Sequence, residues 1–299
     1  MIDDSVRPTM GPATGADPSS ASGAPSARRR ARSTWGERSV AAGAALIALF
    51  LGAPVVALVA RAVLDGSLAA SLTSRVVLDA LVLSLATTSV SLLLTVVFGL
   101  PLAFVLARRS FPGKGWLEAV IDLPIVLPPS VAGLALLIVF GRRGVLGGPF
   151  DVLGLAIPFT TVAVVLAQTF VSAPFFIRSA RTGIASVARD LEDAARVDGA
   201  SERQLFRSIT VPLASAALAA GLVMTWARSL GEFGATIMFA GNIAGRTQTL
   251  PLVVYGEFQS GSLDASIAAA AILVLAAFGV LVAVRFFRWS RVLDARGVE

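Results

Sequence analysis

Few residues in this chain could carry covalent chemistry. Its 299 residues include no Cys and no His, which removes thiol nucleophiles, disulfides, imidazole bases and the commonest zinc ligands together. The sole lysine, Lys114, sits in Phe111-Pro112-Gly113-Lys114-Gly115, without the spacing of a phosphate-binding G-x-x-x-x-G-K-[ST] loop. The carboxylates Asp79, Asp122 and Glu232 are scattered near the ends of apolar runs, so they make neither an acid–base pair nor a charge relay. No catalytic residue, metal site or cofactor is expected. Two polar stretches remain as candidates for recognition. One is Asp193-Ala194-Ala195-Arg196-Val197-Asp198-Gly199 with Ile209-Thr210-Val211-Pro212, and the other is Gly245-Arg246-Thr247-Gln248-Thr249-Leu250-Pro251.

In the first stretch, residues 191–197 are helix formers of mixed sign, and Gly199 breaks the run where a turn without a Cβ is needed. Residues 201–209 resume it, which predicts two short helices meeting at an angle. Ala194 and Ala195 leave one face smooth enough for close packing, and Pro212 marks the return to apolar sequence. The residues fit a rigid elbow that passes motion from a partner, and they fit an amphipathic helix lying on a membrane surface.

The elements that must position these stretches are membrane helices. Hydrophobic residues are 56% of the chain and charged residues 15%, with a mean hydropathy of +0.80, so a single water-soluble core is the wrong architecture. Uncharged runs at 40–60, 80–107, 123–141, 152–177, 209–227 and 265–284 predict about six spans. Their continuity in Ala, Val and Leu excludes the alternating ten-residue segments of a membrane β-barrel. The fold class is therefore an all-α polytopic membrane protein.

Basic residues set the orientation. Residues 1–39, 108–114, 178–207 and 285–299 carry 19 of the 25 Arg and Lys, which places both termini in the cytoplasm. The net charge of +6 follows from this flanking pattern, and nothing interleaves aromatics with a basic face as a nucleic-acid surface would. Residues 1–38, rich in Pro, Ser, Gly and Ala up to Thr34, read as a disordered cytoplasmic tail. Residues 39–288 form the transmembrane domain, with a polar cytoplasmic loop at 178–210, and 289–299 form a second tail. No internal repeat supports inverted halves, so a pore on a symmetry axis calls for a second copy of the chain.

Within the spans, Pro128 and Pro129 either face a cavity or packed interface, or simply start a helix. Residues 233–245 are too short to cross alone, so the chain around Gly231-Glu232-Phe233-Gly234 is a broken helix or a re-entrant segment. Glu232 is a functional candidate by position. An acidic group would repel an anion, and pairing with Arg228 one turn earlier gives it a structural or gating role.

The spacing of Asp193, Ala194, Ala195, Gly199, Ile209 and Pro212 resembles the EAA loop of binding-protein-dependent ABC importer permeases, with Asp193 for the usual Glu and Val211 for the usual Leu. Leu123-Pro-Ile-Val-Leu-Pro-Pro-Ser-Val-Ala-Gly133, Gly231-Glu-Phe-Gly-Ala-Thr-Ile-Met-Phe-Ala-Gly-Asn242 and Gly245-Arg-Thr-Gln-Thr-Leu-Pro251 resemble the molybdate permeases and their sulfate relatives. The resemblance covers about residues 80–284. It implies a MetI-like permease fold in a bacterial-type inner membrane, whose elbow is a coupling helix seated in a groove of an ATPase subunit. It also implies two ATPase copies, a homodimeric pore and an extracytoplasmic molybdate-binding protein. Tungstate, sulfate or thiosulfate is the alternative cargo. Arg142, Arg143 and Arg246, with donors from Thr247, Gln248 and Thr249, would either attract the dianion or grip the binding protein. A passive channel or a membrane-embedded enzyme fits less well, since neither a charge relay nor a clustered set of reactive side chains is present.

Overall fold

The computed structural model describes residues 28–154 and 156–296. All regular structure among them is helical. Helices α1 (Arg28–Leu64), α2 (Ser67–Leu72), α3 (Arg75–Arg108), α4 (Lys114–Val126), α5 (Pro129–Phe140), α6 (Gly147–Val152) and α7 (Thr161–Ala185) make the first half. Helices α8 (Arg189–Val197), α9 (Glu202–Leu205), α10 (Val211–Leu230), α11 (Gly234–Phe239), α12 (Leu250–Gln259) and α13 (Leu263–Arg296) make the second, with a π turn, Phe206–Thr210, joining α9 to α10. Five helices of the described residues are long and apolar enough to cross a membrane, or six if the bent pair α4 and α5 counts as one.

Several expected boundaries move. The run at 123–141 is not one helix: α4 and α5 meet at 118°. Pro128 and Pro129 force this, because the residue before a proline is pushed out of the helical region; Leu127 and Pro128 are both extended and Pro129 becomes the first residue of α5. Neither half spans ~30 Å by itself. The run at 152–177 yields a helix only from Thr161, since Gly154 at φ 67, Pro158 and Phe159 at φ 61 keep the chain in turns. The second helix of the elbow is not a separate short one, because α9, the π turn and α10 run on as one apolar segment, Glu202–Leu230. Of the expected 1–38 tail, 1–27 lie outside the described residues, and α1 is already helical from Arg28. At the other end α13 passes residue 288 and continues to Arg296, in a stretch free of Gly and Pro from Val280.

The chain divides into two compact units, one ending at Ala53 and one beginning at Pro54. In the first, the described side chains of α1 are almost all exposed. In the second, α7 is the central helix, packed along α3 and α10. Lipid offers helices no hydrophobic drive to associate, so close approach by small residues and polar contacts must hold them. Both are present. A Cβ on Gly183 would sit 2.4 Å from the Ala217 side chain, and one on Gly221 would sit 2.8 Å from that of Ser179. A seam of buried hydroxyls links the three helices. Thr169 donates to Ser91 at 3.0 Å, Ser229 donates to Ser172 at 2.8 Å, and Ser91 and Ser229 share a bond of 3.2 Å.

Candidate functional site

The elbow is built from local turn chemistry. Asp190 and Glu192 occupy the first turn of α8 and Arg196 its last, the arrangement the helix dipole favours. Gly199, at φ +86, ends the helix. Its N–H donates to the Arg196 carbonyl at 3.0 Å and the Ala200 N–H to the Ala195 carbonyl at 2.9 Å, the paired bonds of a Schellman turn. Ser201 then caps α9: its hydroxyl accepts from the Gln204 N–H, and the Gln204 side chain accepts from the Ser201 N–H at 2.9 Å, closing a capping box. Arg196 braces the turn, bonding Asp193 and Glu202 at 2.7 Å each. These bonds, Glu202 first, hold the Arg196 guanidinium above its ordinary pKa.

The outer side of this elbow is open. Asp193, Ala194 and Gly199 are exposed, Ala195 and Ile209 are half-buried, and Pro212 is exposed at the foot of α10. Leu191 and Val197 are 50% and 87% exposed. A hollow of about 380 Å³ lies beside the turn, lined by Asp198, Gly199, Ala200, Gln204, Leu205, Ser208 and Ile209. A bent, charged segment with apolar side chains turned outward can seat in a groove of a second protein.

The inner side holds a group that the sequence reading passed over. Glu192, not Asp193, is the buried carboxylate, 3% exposed. It pairs with Arg108 at the end of α3 and accepts from the Thr210 hydroxyl at 2.9 Å. Glu192 and Asp193 are both acidic neighbours, and only the packing of α8 decides which one faces inward.

The second candidate region lies at the far end of α10. Glu232, 1% exposed, takes an ion pair from Arg228 at 2.6 Å and a bond from the Ala235 N–H at 2.8 Å, so it also caps α11. Pro128 and Pro129 stand at the start of α5, and that start is itself a packed interface. A Cβ on Gly234 would lie 2.7 Å from the Pro129 Cβ, and one on Gly133 would lie 2.6 Å from the Ala235 carbonyl oxygen. Residues 231–245 are a helix of one and a half turns followed by loop, and Leu250 after them donates its N–H to Ser84 at 2.7 Å.

Of the loop residues expected to supply donors, Arg246, Thr247, Gln248 and Thr249, the two threonines are buried. Thr247 is fully buried and its hydroxyl is used within the loop, accepting from the Ile243 N–H at 3.0 Å and donating to the Gly241 carbonyl at 3.2 Å. Arg246 is exposed, and its backbone carbonyl accepts from Thr161 at 2.8 Å. Gln248 is half-buried and lines a hollow of about 400 Å³ with Asp79, Gly245 and apolar residues of α3. No arginine lines that hollow. Among the described residues no group of His, Cys, Asp and Glu could hold a metal ion.

The sequence matches the family described as "Binding-protein-dependent transport system inner membrane component" over residues 99–296. It is 40% identical over 199 residues to the molybdenum transport system permease protein ModB of Escherichia coli K12, covering 66% of this chain and 87% of that one. It is 42% identical over 205 residues to ModB of Mycobacterium tuberculosis, covering 69% and 77%. It is also 39% identical over 207 residues to the probable transport system permease protein NifC of Clostridium pasteurianum, covering 69% and 72%. Among solved structures, a bacterial ABC transporter that imports the polysaccharide alginate superposes with a TM-score of 0.67 at 19% identity, over 88% of this chain and 97% of that one. The MetNI methionine ABC transporter superposes with a TM-score of 0.54 at 20% identity, over 75% and 99%.

Proposed function

The chain belongs to the family of binding-protein-dependent transport system inner membrane components, and on that premise we propose that it is the transmembrane subunit of an ATP-driven importer for molybdate. The elbow carries this reading. A Schellman turn at Gly199, a capping box at Ser201 and outward-facing Leu191 and Val197 make a stiff, partly apolar knuckle outside the long helices, suited to a groove in an ATPase subunit. The relatives named for molybdenum transport, 40% and 42% identical, supply the cargo.

The assembly is two copies of this chain around a shared passage, with two ATPase subunits on the cytoplasmic side and a molybdate-binding protein outside. Both termini and the elbow face the cytoplasm, where most basic residues lie. ATP binding and binding-protein docking both favour the outward-open arrangement, so the two sites are linked through the helices between them. Energy comes from the ATPase, because this chain has no phosphate-binding loop. The roles left to its own residues are docking by Asp193, Ala194, Ala195 and Gly199, and bracing of the outer end by Glu232 and Pro129.

Uptake of labelled molybdate, tungstate and sulfate into proteoliposomes containing the purified subunits tests this. ATP-dependent uptake of molybdate in preference to sulfate is expected. Uptake without ATP overturns the mechanism, and a preference for tungstate or sulfate overturns the cargo.

A further inference from the structure

Four segments converge on one buried charge. Arg108 closes α3, Glu192 lies on α8, Thr210 ends the π turn below α10, and Val187 follows the end of α7. The Glu192 carboxylate takes donors from Arg108 and from Thr210, the latter at 2.9 Å. The Arg108 guanidinium also donates to the Val187 carbonyl at 3.2 and 3.3 Å, and Arg189 on α8 donates to the Arg108 carbonyl at 3.4 Å. The side chains of Arg108 and Glu192 are only 11% and 4% exposed.

The remaining ion pairs of the elbow differ in kind. Arg196 bonds Asp193 and Glu202 at the surface, within the elbow itself. Among the described residues, Arg108–Glu192 is the one ion pair that joins α8 or α9 to a membrane-spanning helix. Stability alone is a weak reason for such a pair, because desolvating two charges offsets most of their attraction and apolar packing would hold as well. Apolar packing is non-directional, so it lets one surface slide on another. A hydrogen-bonded ion pair fixes direction, and a displaced carboxylate carries its donors with it.

We infer that Arg108, Glu192 and Thr210 are positioning residues that transmit displacement of the elbow to α3 and α10 at once. This rests on the coupling role proposed above. Neither Arg108 nor Glu192 lies among the exposed elbow residues offered to the ATPase, so their effect is on transmission, not docking.

The test uses the full complex in proteoliposomes and reads molybdate taken up per ATP hydrolysed. Glu192→Gln is expected to co-purify with the ATPase as the unchanged chain does, while uptake per ATP falls roughly 5–150-fold, the usual range of a coupling energy. Arg108→Gln should match it, and the double variant should be no worse than either single, as for groups acting as one unit. Thr210→Val removes a single bond and should give a smaller loss in the same direction, even if the charge variants fail to insert. Unchanged uptake per ATP in Glu192→Gln and Thr210→Val overturns the inference, as does loss of ATPase binding in Thr210→Val. Because the chain has no native Cys, Ala195→Cys can be cross-linked to the ATPase in the same preparations. Absence of that cross-link in the otherwise unchanged chain sinks the coupling role itself, whereas its presence with unaltered uptake sinks only the linkage.

Discussion

The two ends of α10 are held by opposite means. At the elbow, side chains do the holding: a capping box, the Arg196 pairs, and Glu192 between Arg108 and Thr210. At the other end, backbones touch. Gly133 and Gly234 let α5 and α11 meet with no room for a Cβ, and Glu232 is spent on capping the short helix that makes the contact. Steric contacts tolerate little displacement, because overlap rises steeply once atoms touch. The surface bonds of Arg196 can be replaced by water at small cost, whereas the buried Arg108–Glu192 pair cannot. The difference separates a packed end, on which the fold depends, from a jointed end through which a partner can act.

Substitutions at each end test that difference. The largest loss of stability is expected from Glu232→Ala, which removes the partner of the half-buried Arg228 and the bond to the Ala235 N–H at a cost of about 2–4 kcal/mol, read as loss of folded protein after detergent extraction. Next, Gly133→Val drives a side chain into the Ala235 backbone at a cost of about 1–3 kcal/mol, seen as a lowered melting temperature in detergent. At the jointed end, Gly199→Val strains a left-handed turn by roughly 1–2 kcal/mol; membrane insertion should be unchanged and ATP-driven uptake abolished. Uptake at the unaltered rate would show that the knuckle is not the point of coupling. Ser201→Ala removes one cap for about 1 kcal/mol, and global melting should shift less than for Gly133→Val. Arg196→Ala should leave the melting temperature unmoved, since its pairs are at the surface.

What the sequence disclosed divides along the same line. The elbow is local chemistry, so Gly199, the helix formers before it and the resumption near Ser201 could be read directly. The break at 123–141 is half legible: Pro128 and Pro129 signal an interruption, but residue types alone do not give its angle of 118°. The later start of α7 is not legible because residues 152–160 are apolar enough to extend a span, while Phe159 is held in its turn by a bond from its N–H to the Phe239 carbonyl at 3.3 Å. Nothing in the local sequence marks Ser91, Thr169, Ser172 and Ser229 as partners, and only the alignment of three helices makes them a seam. By residue type Thr247 can donate to a dianion or to the binding protein, yet its hydroxyl bonds the loop's own backbone. Glu192 depends on helix phase, which tertiary packing sets.

The π turn at Phe206–Thr210 governs angular registration between the knuckle and the bundle. In it the Val211 N–H reaches back five residues to the Phe206 carbonyl, so this loop of helix carries one residue more than an α turn would. Each residue of an α-helix rotates the chain by about 100°. An extra residue in an unbroken α-helix would swing every later side chain by that angle; the wide turn absorbs it, so Gly221 and Ser229 stay on the face packed against α7. The widened turn thus lets one continuous rod carry an exposed elbow at one end and a buried face along the rest.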